Sequence, residues 1–262
     1  MRSLFIAVLA LALTACASGY QQFYKPYVEP KTLTDVQLLN PGEEPRVFGT
    51  SDFDRDIKTL RSKMYIPIGY SSFNGKYEDE SRVKDQAKRV GATIVLVNSR
   101  YTNTQTTTSP LFIPNSSTTY HSGSVYGGGV YGGYSGTSTT TGNTVVPITT
   151  QQRRYDQTAV FFVKSTKKPQ IGVFIKNLND EQRHTIERNT GAVIEIVIEG
   201  SPAFYSNVLA GDILIKVNGT DVRDAPHAHD LMRDLDANAG KVIFTVIRNG
   251  KEKEIQIELK KT

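Results

Sequence analysis

Gly200-Ser201-Pro202-Ala203, followed by Ala210-Gly211-Asp212-Ile213-Leu214-Ile215-Lys216-Val217-Asn218-Gly219, decides the fold of the last third of this chain. The apolar segment before it, Gly191 to Ile198, predicts a strand. Pro202 pre-sets a turn and cannot join a strand ladder. One helical turn follows, Ala203 to Ala210, and Gly211 ends it. Asp212 opens a β-branched run, and Asn218-Gly219 is a turn signal. An amphipathic helix from Pro226 to Asp236 comes next. Strands Lys241 to Arg248 and Lys251 to Leu259, joined through Asn249-Gly250, close the chain.

That order of elements, with those residues, resembles a bacterial PDZ domain of the kind appended to periplasmic trypsin-like stress proteases and carboxyl-terminal processing proteases. The resemblance covers residues 170–260. It implies a Φ-G-Φ loop at Ile171-Gly172-Val173 that receives a peptide carboxylate on its backbone amides. It also implies an edge strand continuing through Phe174 and Ile175, to which an extended peptide adds by main-chain pairing. In this reading glycine at 172 keeps a side chain out of the anion's way. The family's partner helix matches Pro226 to Asp236. There Ala228, Leu231, Met232 and Leu235 follow helical spacing, and Ala228 and Met232 are the two expected to reach the groove. The chain departs from the family in a polar helix, Asp180 to Asn189, where the family is more apolar.

The chain has 262 residues, enough for two small cores. Its formal charge of +5 comes from scattered basic residues, which gives nucleic-acid binding little footing. The single cysteine is Cys16. Arg2, an apolar run from Leu4 to Leu13 too short to span a bilayer, and Leu13-Thr14-Ala15-Cys16 resemble the lipobox of bacterial lipoproteins. This implies a signal peptide over 1–15, acylation of Cys16 (a palmitate-type modification), and an anchor in the outer membrane, facing the periplasm or, in the alternative, the cell surface. An ordinary secretory signal is the other reading of the same residues.

Residues 16–45, punctuated by Pro26, Pro30, Pro41 and Pro45, read as an extended tether. From Arg46 to Lys164 the pattern is strand, helix, strand, helix, strand. Phe53, Ile57 and Leu60 line one helix, Val83, Ala87 and Val90 the other, and Thr93 to Val97 is a buried-type strand. That order predicts an N-terminal α/β sandwich with a partly parallel sheet. From Tyr101 to Gln152 there is no Asp, Glu, Lys or Arg. Alternating threonines on both sides predict a long uncharged β-arm inserted over 101–152, with a mobile glycine-tyrosine tip from Pro110 to Asn143. The overall expectation is therefore a two-domain α+β chain, its second domain PDZ-like.

Catalytic constellations are weak. Gly69-Tyr70-Ser71-Ser72-Phe73 has Phe where a nucleophile elbow closes with glycine. Asp52, Asp54 and Asp56 imitate a calcium loop, but Ile57 stands where glycine must turn the chain. The four histidines form no metal set, and no cofactor motif is present. The expectation is a non-enzymatic adaptor or scaffold whose partners are peptide or protein C-termini and, through Cys16, the lipid bilayer. The alternative is a hydrolase of unrecognised type in the first domain, with Asp52, Asp54 or Ser71 in its chemistry and the PDZ-like domain gating it.

Overall fold

The structure is a computed structural model describing residues 17–29, 32–235 and 240–259. The signal-peptide residues and Cys16 lie outside the described residues. Two sheets dominate and the chain is mostly β. The first half runs α1 (Gly19–Gln22), β1 (Tyr24–Pro26), β2 (Val36–Gln37), β3 (Arg46–Gly49), α2 (Phe53–Ser62), β4 (Tyr65–Gly75), α3 (Glu80–Val90), β5 (Ile94–Gly127) and β6 (Val130–Ser165). Its strands follow the order β1-β4-β6-β5-β3, with β2 on β6. Only the β3–β5 pair, Arg46 opposite Ile94 through Gly49 opposite Val97, is parallel among the registers described. The expected α/β sandwich is thus corrected to a largely antiparallel sheet carrying two helices.

Period-two alternation distributes that sheet's side chains to two faces. Val95, Ala159, Phe161 and Val163 pack with Ile68, Val83 and Ala87, under α3. Their sequence neighbours Ile94, Leu96, Val160 and Phe162 pack with Phe53, Ile57 and Leu60, under α2. Each helix is capped as its sequence dictates: Asp52 accepts from the Arg55 amide, Asp79 from Ser81, and Gly91 adopts a left-handed conformation at the end of α3.

The tether is not what the described residues of 17–45 form. Ser18 caps α1, Tyr20 is only 2% exposed within the α3-side core, β1 pairs antiparallel with β4, and β2 pairs with β6. Phe73 stacks against Phe23 and meets Tyr20 edge to face. Burial also pushes the Tyr24 phenol up to about 12. The prolines punctuate short pieces that still find long-range partners. The strand after α2 extends to Gly75, and β1 pairs with it from Tyr24 opposite Ser71 to Pro26 opposite Gly69.

The arm, Asn74–Tyr77 with Arg100–Tyr155, is a separate compact unit. It is a two-stranded ribbon of β5 and β6 whose turn is Gly128-Gly129, both at positive φ (61° and 83°), as a type I′ turn requires. The mobile tip expected from Pro110 to Asn143 is therefore corrected to strands paired up to that turn. Cross-strand hydroxyl contacts such as Thr108 Oγ1 to Thr149 Oγ1 (3.2 Å) and Thr118 to Thr139 (3.3 Å) line it. At its base Arg154 donates to the Asn74 side chain and carbonyl and to Gln105.

The second half adds β7 (Val173–Asn177), α4 (Asp180–Thr185), β8 (Ala192–Val197), α5 (Pro202–Tyr205), β9 (Ile213–Val217), β10 (Thr220–Asp221), α6 (Ala225–Arg233), β11 (Lys241–Arg248) and β12 (Lys251–Glu258). The sheet order is β12-β11-β9-β8-β7, with β10 on β9. Asp212, buried at the start of β9, accepts from the Leu209 amide and receives a two-pronged contact from Arg248 at 2.6 Å on each arm. That hydrogen bond holds the Arg248 guanidinium above its usual range, and fork geometry of this kind is the strong form of an ion pair.

If residues 17–29 are structural, Tyr20→Ala should lower stability by about 3 kcal/mol or more, as for deletion of a buried aromatic ring. Thermal or urea unfolding reads this directly; an unchanged midpoint would restore the tether.

Candidate functional site

The predicted Φ-G-Φ loop lies between Pro169 and the edge strand β7. Gly172 has φ +92°, and a Cβ built there would overlap the Ser201 side chain. The first reason for glycine at 172 is therefore the close approach of the Ser201 turn, which the sequence reading did not anticipate. That turn uses up the loop's carbonyls. Ile171 O accepts from Ala203 N at 2.9 Å, and Gly172 O accepts from Ile198 N at 2.9 Å and from Ser201 Oγ at 3.4 Å. Among the described residues no acceptor meets the Ile171 or Gly172 amide. Beside a strand edge, two backbone donors without a protein acceptor are open to an acceptor from outside the chain. An incoming anion supplies one.

β7 pairs with β8 from Val173 opposite Val197 to Asn177 opposite Ala192, with a bulge at Phe174/Ile175. It is the terminal strand of its sheet, and among the described residues nothing pairs with its other edge. α6 is fixed to the far end of this strand: Asn177 Oδ1 accepts from the Ala225 amide at 2.8 Å, while Asp224 caps the helix through the His227 amide. α6 spans nine residues rather than continuing to Asp236, which lies outside the described residues.

The side chains named from the sequence divide into three settings. Ile171, Ala228 and Met232 belong to the main core of this half, with Ala228 wholly buried. Val173 and Ile175, half-buried, line the margin of that core together with Leu231 and Leu235. Phe174 points the other way. Its ring lies 4.1 Å from the Arg61 guanidinium, at the end of α2. Two more contacts accompany it: Ser62 O accepts from the Glu199 amide at 2.8 Å, and Glu195 sits 2.9 Å from Lys176 and 3.5 Å from Lys58. The Lys176 ammonium, helped by Lys58, holds the Glu195 carboxyl below the usual carboxylate range. Arg61 and Ser62 had no signal in the sequence; only the fold brings α2 against β7 and β8.

The residues of the hydrolase alternative are not brought together. Asp52 is a helix cap, Asp54 pairs with Lys58, and Asp56 receives Arg55 and the Thr50 hydroxyl. Ser71 is fully buried and donates to the Tyr20 carbonyl at 2.6 Å. Among the described residues no group of three or more His, Cys, Asp or Glu side chains is placed to hold a metal ion.

With this geometry in hand, known proteins offer a comparison. The family model "PDZ domain" matches residues 169–259. A probable periplasmic serine endoprotease DegP-like of Marinomonas sp. (strain MWYL1) is 31% identical over 91 residues, 34% of this chain and 19% of that protein. Its counterpart in Buchnera aphidicola subsp. Schizaphis graminum (strain Sg) is 26% identical over 121 residues, 45% of this chain and 23% of its own length. The chain thus spans about a fifth of the curated relatives it matches. Among solved structures, the HtrA3 PDZ domain bound to a phage-derived ligand is 20% identical at a TM-score of 0.30, covering 34% of this chain and 83% of that one. The HtrA-type protease AlgW with decapeptide is 18% identical at a TM-score of 0.30, covering 38% and 36%. The C-terminal domain of the chain is a PDZ domain resembling those of HtrA/DegP proteases.

Because Gly172 combines a left-handed φ with the Ser201 contact, Gly172→Ala should destabilise the chain by more than about 2 kcal/mol, beyond the usual cost of a misplaced Cβ. Urea unfolding checks this, and an unshifted midpoint would mean that the Ser201 turn yields freely.

Proposed function

We propose that the chain is a membrane-anchored, non-catalytic adaptor of the bacterial envelope that holds the C-terminus of a peptide or protein on β7. The observation that carries this reading is the pair of unpartnered amides at Ile171-Gly172, directly preceding a strand with one unpaired edge. A peptide carboxylate would accept from those amides, as anions do at backbone nests. The residues N-terminal to it would pair with β7 from Val173 through Ile175, with Phe174 contributing backbone alone. Apolar side chains of the peptide would then meet Val173, Ile175, Leu231 and Leu235, above a floor formed by Ile171, Ala228 and Met232.

The adaptor sits on a lipid anchor in this reading. Leu13-Thr14-Ala15-Cys16 supports acylation of Cys16, and two or more acyl chains give stable attachment where one does not. Only Ala17 separates Cys16 from Ser18, the cap of α1. At a reach of roughly 3.5 Å per residue, the acylated residue would hold α1 within about 7 Å of the headgroups. The first sheet would then lie against the bilayer rather than hang from it. Among the described residues no helix is long and apolar enough to cross a membrane.

A panel of decapeptides with apolar C-termini, each made with a free and an amidated terminus, tests the groove by fluorescence anisotropy on the full chain carrying Cys16→Ser. Free termini should bind at least about tenfold tighter, the worth of one charge-assisted hydrogen bond. Equal affinity for both forms would remove the carboxylate from the mechanism. Separately, Cys16→Ser should move the expressed protein from the membrane pellet to the soluble fraction; retention in the pellet would dispose of the anchor.

A further inference from the structure

The arm carries a band that no part of the adaptor reading uses. Leu111, Phe112 and Ile113 on one strand and Val145, Val146 and Ile148 on the other are each between 37% and 59% exposed. The side-chain contact between Thr108 and Thr149 fixes which residues share a face. Alternation from that pair places Leu111, Ile113, Val146 and Ile148 together on one face. Phe112 and Val145 fall on the other, with Pro110, Pro114 and Pro147. Hydroxyl and amide contacts bracket the band, Thr108 to Thr149 toward the base and Asn115 Nδ2 to Thr144 Oγ1 (2.8 Å) toward the turn.

Three coverings are conceivable, and physical arguments separate them. Edge pairing with another strand is blunted at the band, because proline lacks the N–H that a new neighbour would need and sits in strands where that gap faces an open edge. Membrane spanning fits poorly too. From Pro110 to Pro114 the band rises only about 14 Å at ~3.4 Å per residue, against roughly 25 Å for the apolar belt of a membrane barrel. It is also apolar on both faces, whereas a barrel strand alternates lipid-facing and lumen-facing residues. Face-to-face packing on protein remains. The covering surface must be as uncharged as the ribbon, and the ribbon of a second copy meets that condition. At the band two copies bring no like charge together and desolvate none, since there is no Asp, Glu, Lys or Arg from Tyr101 to Gln152. A two-stranded ribbon is marginal alone in water, and a second layer on its apolar face is the usual remedy.

We propose that the chain self-associates through this arm as a two-fold dimer, with Leu111, Ile113, Val146 and Ile148 of one copy packed on the same four residues of the other. The aliphatic band forms the dry centre, and the threonine rows on either side form the polar rim. Because the contact is isologous, a single substitution alters both halves of it.

Sedimentation velocity on the full chain carrying Cys16→Ser, across a hundredfold range of concentration, should show a dimer that Leu111→Glu/Val146→Glu converts to monomer. A monomer throughout, or a dimer untouched by the two glutamates, overturns the proposal. To separate loss of the contact from melting of the ribbon, a second measurement uses single cysteines in the same Cys16→Ser background. Mild oxidation should cross-link Ile113→Cys to itself and leave Phe112→Cys, on the opposite face, largely uncoupled; equal or reversed yields overturn the face assignment. Flotation with phosphatidylethanolamine–phosphatidylglycerol vesicles decides the lipid alternative. The Cys16→Ser chain should stay at the bottom of the gradient, and band-dependent flotation would replace the second copy with a membrane.

Discussion

The close approach of Gly172 to Ser201 organises the functional half of this protein. Once the Ser201 turn lies against the loop, Ala203 and Ile198 take the carbonyls of Ile171 and Gly172, and the peptide planes are oriented by those bonds. The amides at the loop then have nowhere to go within the described chain. The free donors thus follow from that packing constraint, the free strand edge from β7's place at the end of its sheet, and the small residue at 172 serves the fold before it serves any ligand. Pre-setting donors in this way removes an ordering cost from binding, which is where preorganised sites gain affinity.

β7 is held on both of its faces. Val173 and Ile175 rest on the core beneath α6, while Phe174 lies under Arg61 and Glu195 is shared between Lys176 and Lys58. A guanidinium over an aromatic ring contributes about 0.5–2 kcal/mol depending on how dry it is. The half-exposed ion pairs add less. Together with the Ser62–Glu199 backbone hydrogen bond, these contacts tie α2 to the strand that would accept a peptide. Any ligand that shifted β7 would strain them, which would tie the first half of the chain to events at that strand.

The legible parts of the sequence were those written in local chemistry. Ser201-Pro202, Gly211-Asp212 and Asn218-Gly219 each impose a turn or cap on their own neighbours, and the strands between them followed. The parts misread were those whose state is set by distant partners. Nothing local distinguishes Tyr20 in a tether from Tyr20 in a core, because Ile68, Val83 and Phe161 bury it from far along the chain. Ser71, a candidate nucleophile by sequence, sits in a strand paired with Tyr24 and is buried against the Tyr20 carbonyl. The arm's glycines suggested mobility, yet Gly128-Gly129 is the pair that a tight hairpin needs and the flanking strands run up to it. In the candidate site, the Φ-G-Φ loop could be read from the sequence, while Arg61, reached only through tertiary packing, could not.

The charge pattern of the arm bears on why it is built as it is. Charge returns only at the base of the ribbon, at Arg100 on one strand and at Arg153 and Arg154 on the other, with Arg154 satisfied by Asn74 and Gln105. A ribbon meant to stand in water gains from lysines, which keep it soluble and protect its edges, and β strands accept them readily on a solvent face. This ribbon forgoes charge along its whole uncharged length. Instead it has proline only beside its apolar band, and elsewhere it is built mainly of threonine, serine, glycine and tyrosine, which can be covered without desolvating an ion. Those two choices make sense together for a surface that is to be buried against something equally uncharged, and they would be needless for a spacer.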